Sequence, residues 1–127
     1  MIVKNANRGT TLGDAIEVAA TSVQRAKGLL GRECLEEGQG LLFKNASSLH
    51  TFFMGFPIDI VFMDKTGKVL KAAPAVRPFK LVAAPFRAHY ALELPTGAIQ
   101  QSDTKVGDRL EFLGEDAITP ELAKVAS

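Results

Sequence analysis

The run Ile58-Asp-Ile-Val-Phe-Met63 limits the folding choices of this chain more than any other segment. Six residues are too few for a buried helix, and branched and aromatic side chains favour an extended backbone. Pro57 stands directly before the run, where proline can begin a strand but not occupy its centre. Asp64-Lys65-Thr66-Gly67 follows and reads as a hairpin turn, with Gly67 at the position that needs a positive φ. By alternation, Ile58, Ile60 and Phe62 share one face, and Asp59, Val61 and Met63 the other. Both faces are apolar apart from one carboxylate, so a central strand covered from both sides is expected. Asp59 then needs a partner, because burying an unpaired carboxylate costs roughly several kcal/mol.

Further short strands follow from the same patterning. They cover Ile16 to Val18, Leu41 to Phe43, Leu49 to Phe53, Lys68 to Ala73, Tyr90 to Leu94 and Arg109 to Leu113. Residues 22–30, SVQRAKGLL, form the best helical segment, with Thr21 or Ser22 as N-cap and Gly31 as the stop. The stretch TGAIQQSDTKVGD predicts one helical turn and a second turn at Gly107-Asp108. A short helix fits the tail, with Thr119 as cap and Pro120 at its first position. Many strands with one or two short helices predict a mainly β chain, either a single compact β-barrel or a sandwich. At 127 residues the chain has the size of one domain, with a core expected over about 14–113 and a C-terminal tail over 114–127.

The formal net charge is +1, too balanced to predict nucleic acid or a membrane as partner. No apolar window reaches the length that crosses a bilayer, and residues 1–20 lack the pattern of a secretory signal. Cys34 is the only cysteine, so no intrachain disulfide can form and a reducing, cytoplasmic setting is expected. Its acidic neighbours Glu33, Glu36 and Glu37 oppose thiolate formation. With two histidines and one cysteine far apart, neither a metal nor a cofactor is expected.

Five polar residues remain as candidate ligand-binding groups: Arg25, Arg32, His50, Thr51 and Asp59. Asp59 is either a structural anchor, accepting from backbone N–H groups or an arginine, or a pocket carboxylate. If the helix continues past Gly31, Arg25 and Arg32 share a face and could clamp an anion; if Gly31 ends it, Arg32 leaves that face, and the alternative is one arginine on Asp59 and one in solvent. His50 and Thr51 open the apolar stretch, and the bend at Gly55 and Pro57 could return His50 towards Asp59. Glu93, between Leu92 and Leu94, reads as a solvent-facing strand residue or a partner for a lysine, and Asp108 as a turn residue. The segment RPFKLVAAPFRAHY, residues 77–90, interleaves bases with aromatics but reads foremost as a solvated loop with an edge strand.

Several of these blocks together resemble a known family. Arg25-x-x-Gly28-Leu29-Leu30-x-Arg32, Gly40-Leu-Leu-Phe43, HTFFMGFPIDIVFMD, LELPTG and Val106-Gly107-Asp108 occur in the order typical of the domain-of-unknown-function 192 family. Many members carry Trp where Phe53 stands and Met where Leu30 stands, changes that are conservative for packing. The resemblance implies a small β-rich, barrel-like fold and brings no established activity or cofactor. The expected function is non-catalytic binding of a small ligand, anionic if both arginines face the pocket. The alternatives are a hydrolase, acting on a carbohydrate through Asp59 with His50 or Glu93, and a protein-interaction accessory module.

Overall fold

A computed structural model of the chain describes residues 1–19, 35–44, 48–50 and 55–114. The expected central strand is there as β6 (Ile58–Met63), and all six of its residues are buried. It lies in a five-stranded sheet between β7 (Val69–Val76) and β9 (Tyr90–Pro95), which is followed by β4 (Gln39–Lys44) and β3 (Ala15–Ala19). The β3–β4 pair is parallel, and the other neighbours are antiparallel. A second sheet of three strands has β1 (Ile2–Asn5) between β10 (Leu110–Leu113) and β2 (Thr10–Gly13). A two-stranded sheet pairs β5 (Ser48–His50) with β8 (Leu81–Ala83). One short helix, α1 (Ala98–Gln101), is present among the described residues.

The core has two layers, and they explain why β6 is apolar on both sides. Val3, Leu12 and Phe112 of the three-stranded sheet pack with Leu42, Val61 and Leu92 of the five-stranded one. On the opposite face, Leu41, Phe43, Ile58, Ile60 and Phe62 pack with Leu35, Phe56 and Val82. The fold is therefore mainly β and sandwich-like, and the described sheets do not close into a barrel. Packing begins earlier than the expected start near residue 14, since Val3 is fully buried and β1 pairs with β10 over four residues. The helices expected over 22–30 and after Thr119 lie outside the described residues, as does the second half of the strand expected over 49–53.

Local chemistry sets the turns. Asp64 Oδ1 accepts from the Thr66 and Lys68 N–H groups at 2.8 and 3.1 Å, and Gly67 turns the chain at φ 90°. Strand β7 runs three residues past Ala73, through Pro74. Proline is tolerated because β7 is an edge of its sheet and carries a bulge opposite Ile58–Ile60. Gly40 reflects crowding rather than a turn. A Cβ there would lie 2.6 Å from the Glu93 carbonyl oxygen and 2.7 Å from Ile16 Cδ1. The buried Ile16 side chain thus uses the room that the glycine leaves.

The three-stranded sheet is closed by a polar knot. Buried Asn5 donates through Nδ2 to Thr104 Oγ1 at 3.1 Å and to Asp108 Oδ2 at 3.0 Å. Asp108 also accepts from Arg8 Nε at 3.1 Å and from the Lys105 N–H at 3.0 Å. Asp108 does sit in a turn, as its sequence suggests, but it is also the acceptor at which three chain segments meet. Burial pushes its carboxyl up, yet the bonds from Asn5, Arg8 and Lys105 and the Arg8 charge outweigh that and hold it below its ordinary value of 3.8.

Two outcomes follow from this packing. Gly40→Ala should destabilise the fold by about 1–3 kcal/mol in a denaturant titration, because backbone must move to admit the methyl group. Gly55→Ala, with open space around its Cβ, should stay within about 0.5 kcal/mol. The depressed Asp108 carboxyl contributes stability that is complete above pH 3.8 and is lost as pH falls towards its lower native value. In acid titrations followed by circular dichroism, Asp108→Asn should therefore start less stable at neutral pH and fall off less steeply below that point.

Candidate functional site

Asp59 is completely buried on the face of β6 that carries Val61 and Met63. Among the described residues its partners are three backbone N–H groups. Oδ1 accepts from Ala75 at 2.8 Å, and Oδ2 from Gly97 at 3.1 Å and Ile99 at 2.9 Å. Ala75 lies in the β7 bulge with φ 49°, a left-handed conformation that is uncommon outside glycine. Gly97, at φ 100°, precedes α1, so the first turn of that helix receives its acceptor from a distant strand. Thr96 Oγ1 adds a bond to the Pro57 carbonyl at 3.0 Å, tying the same corner to the residue before β6.

This anchored corner is one wall of a cleft of about 590 Å³. Thr96, Ala98 and Gln101 form that wall, and Pro95 leads into it. Thr11 to Asp14 supply a second wall from the end of β2, and Leu35, Glu37 and Gly38 a third. The Asp14 and Ala15 N–H groups both donate to the Gly38 carbonyl, at 3.0 and 2.8 Å, which locks the second and third walls together. Gly38 has φ 88°, and a Cβ there would collide with Asp14 Oδ1. The lining therefore offers two threonine hydroxyls, one carboxamide and two carboxylates over an apolar floor that includes buried Leu12 and Leu35. Among the described residues it includes no lysine, arginine or histidine.

The expected candidates stand differently. Asp59 supports the cleft through the backbone of its wall and does not line it. Arg25, Arg32, Thr51 and Cys34 lie outside the described residues. His50 is placed by its backbone alone, as the last residue of β5, opposite Leu81. Glu93 corrects the sequence reading: it is fully buried, not solvent-facing. Strand β9 lies between β4 and β6 in a sheet covered on both sides, so alternation there does not lead to solvent. Glu93 is level with Leu41 and Ile60, whereas Asp59 is level with Leu94. The two carboxylates thus occupy opposite faces of one sheet and cannot flank a single glycosidic bond. Among the described residues, no cluster of side chains could hold a metal ion.

Thr11, Asp14, Glu37, Thr96 and Gln101 were not singled out in the sequence. The one signal in reach was LELPTG, whose Pro95-Thr96-Gly97 forms the anchored corner.

The family described as DUF192, Uncharacterized ACR, matches residues 2–112. A UPF0127 protein of Pyrococcus abyssi is 25% identical over 118 residues, which is 88% of this chain and 97% of that protein. A solved structure from Sinorhizobium meliloti 1021 superposes with a TM-score of 0.73 at 25% identity, covering 87% of this chain and 89% of the other. A protein of unknown function from Novosphingobium aromaticivorans gives 0.72 at 24% identity, covering 87% and 82%, and shares the fold.

Asp59→Asn should cost roughly 2–4 kcal/mol, because an amide nitrogen replaces one acceptor and faces buried N–H donors. Hydrogen exchange should show the loss locally, as faster exchange at Ala75, Gly97 and Ile99 than at β9. Unchanged exchange at those three amides would contradict the anchor.

Proposed function

We propose that this chain, which belongs to the DUF192 family, is a binding module for a small polar ligand that is neutral or cationic. The reading rests on one observation, the composition of the cleft. Hydroxyl, carboxamide and carboxylate groups converge over an apolar floor, the arrangement suited to orienting a small polar molecule by a few directed bonds. Among the described residues the lining carries two acidic groups and no base, which disfavours an anion that would meet like charge there. A polyhydroxylated molecule could accept from Gln101 and donate to Asp14 or Glu37 while covering Leu12 and Leu35. No turnover is assigned, because the sequence-derived carboxylate pair is split across a sheet and Asp59 already accepts three bonds.

Arg25 and Arg32 keep a place in this reading as groups that would shift preference towards anions if they reach the same cleft. Thermal melting separates the cases, since a ligand that binds only the native state raises Tm by mass action. Trehalose or spermidine, at matched ionic strength, should raise Tm, and Thr11→Tyr should abolish the response by filling the cleft from an exposed strand position. A rise with inorganic phosphate alone, removed by replacing Arg25 and Arg32 with glutamine, would favour the anion reading instead.

A further inference from the structure

The near-zero net charge hides a segregation along the chain. Residues 65–92 hold six of the fifteen basic residues and none of the fourteen acidic ones. Within that stretch, Phe79, Leu81 and Phe86 are 73%, 70% and 88% exposed, three of the four exposed large hydrophobic side chains among the described residues. Three large apolar side chains exposed within eight residues of sequence need an explanation that scattered ones do not.

The backbone holds them outward. Strand β8 buries Val82 in the core and leaves Leu81 and Ala83 facing away. A turn with Pro78 before Phe79 enters the strand, and a turn closed by the Ala88 N–H on the Pro85 carbonyl at 3.1 Å leaves it. Phe79 has φ 62° and Arg87 φ 70°, conformations that bulky residues rarely adopt and that persist only where the surroundings impose them. Each proline fixes the backbone at the start of its turn. Arg87 Cζ lies 5.6 Å from the centre of the Phe86 ring, so a cation travels with the most exposed aromatic.

We infer that this turn–strand–turn is a docking surface for an anionic lipid bilayer. Phe79, Leu81 and Phe86 enter the boundary between headgroups and acyl chains, and Arg87 beside Phe86, in a stretch that holds bases and no acid, brings positive charge to headgroup level. The contact inferred is peripheral, carried by the exposed side chains of two turns and one short strand. Three features favour lipid over a single-stranded nucleic acid, which also attracts bases and aromatics. Leu81 offers no ring to stack on, Arg87 already covers the Phe86 ring, and two of the three apolar groups sit on turns rather than on a flat strand face. A rigid protein partner would need matching pockets for side chains that project this far, whereas acyl chains conform to them.

Co-sedimentation of the full chain with vesicles tests the inference. Phosphatidylcholine vesicles containing phosphatidylglycerol should pellet the protein, pure phosphatidylcholine should not, and added salt should weaken the association. The double variant Phe79→Ser, Phe86→Ser should lose about tenfold or more in vesicle binding while keeping its Tm, since both side chains are exposed. Arg87→Gln should weaken binding and flatten its salt dependence. The inference is overturned if phosphatidylglycerol vesicles fail to pellet the protein, or if the double variant binds them as the parent does. It is also overturned if the same variant instead abolishes binding to a single-stranded oligonucleotide or concentration-dependent self-association, with no response to vesicles.

Discussion

The Asp59 carboxylate binds N–H groups that are 16, 38 and 40 residues away in sequence. Those three donors belong to a strand bulge, a corner and the first turn of a helix, places where the regular ladders leave backbone groups without acceptors. Only a group with two oxygens, each able to take more than one donor, can serve all three from one position. A hydrophobic residue at 59 would suit the strand better and leave three donors without this acceptor, the Ile99 N–H buried and the other two partly so. The acid in IDIVFM therefore belongs to the same design as its apolar neighbours: they bury the strand, and it makes burial tolerable for the corner beside it.

The sheet around β6 and β9 shows why polar residues in a two-sided core resist reading from alternation. Leu92 and Leu94 face the three-stranded sheet, and Ala91 faces the other layer with Glu93. Were one face of β9 open, Glu93 would be wet and the usual pattern would hold. Because both are covered, Glu93 and Asp59 are equally buried and still separated by the thickness of the sheet. Two acids close in register can thus be chemically independent.

Legibility in the sequence followed the strength of local signals. Strand β6, its Pro57 start and the Asp64–Gly67 turn could be read because proline, glycine and the apolar run each restrict the backbone on their own. Strands β1 and β2 were missed: IVKN and TTLG are four residues long, and their stability comes from pairing with one another and with β10. The role of Asp108 was half legible. Its turn is local, but Asn5 and Arg8 lie 103 and 100 residues away. The cleft was hidden for the same reason, as its walls come from residues 11–14, 35–38 and 95–101. Only the corner Pro95-Thr96-Gly97 carried a compositional hint. Arg25 and Arg32 lie outside the described residues, and Asp14 and Glu37 are the charged groups that line the cleft among those described.

The two surfaces argued above are opposite in sign and share no residue. The cleft lining presents Asp14 and Glu37, and the β8 segment presents bases around Phe79, Leu81 and Phe86. A net charge of +1 averages them away, which is why the global field excluded partners that local fields admit. Asp59 sits at the root of both. Through Gly97 and Ile99 it fixes the wall of the cleft, and through Ala75 it fixes the chain two residues before Arg77, where the basic segment begins. One buried carboxylate thereby sets the geometry from which an acidic recess and a basic, apolar projection both leave the sandwich. Neither surface needs the carboxylate for its chemistry, and both need it for their position.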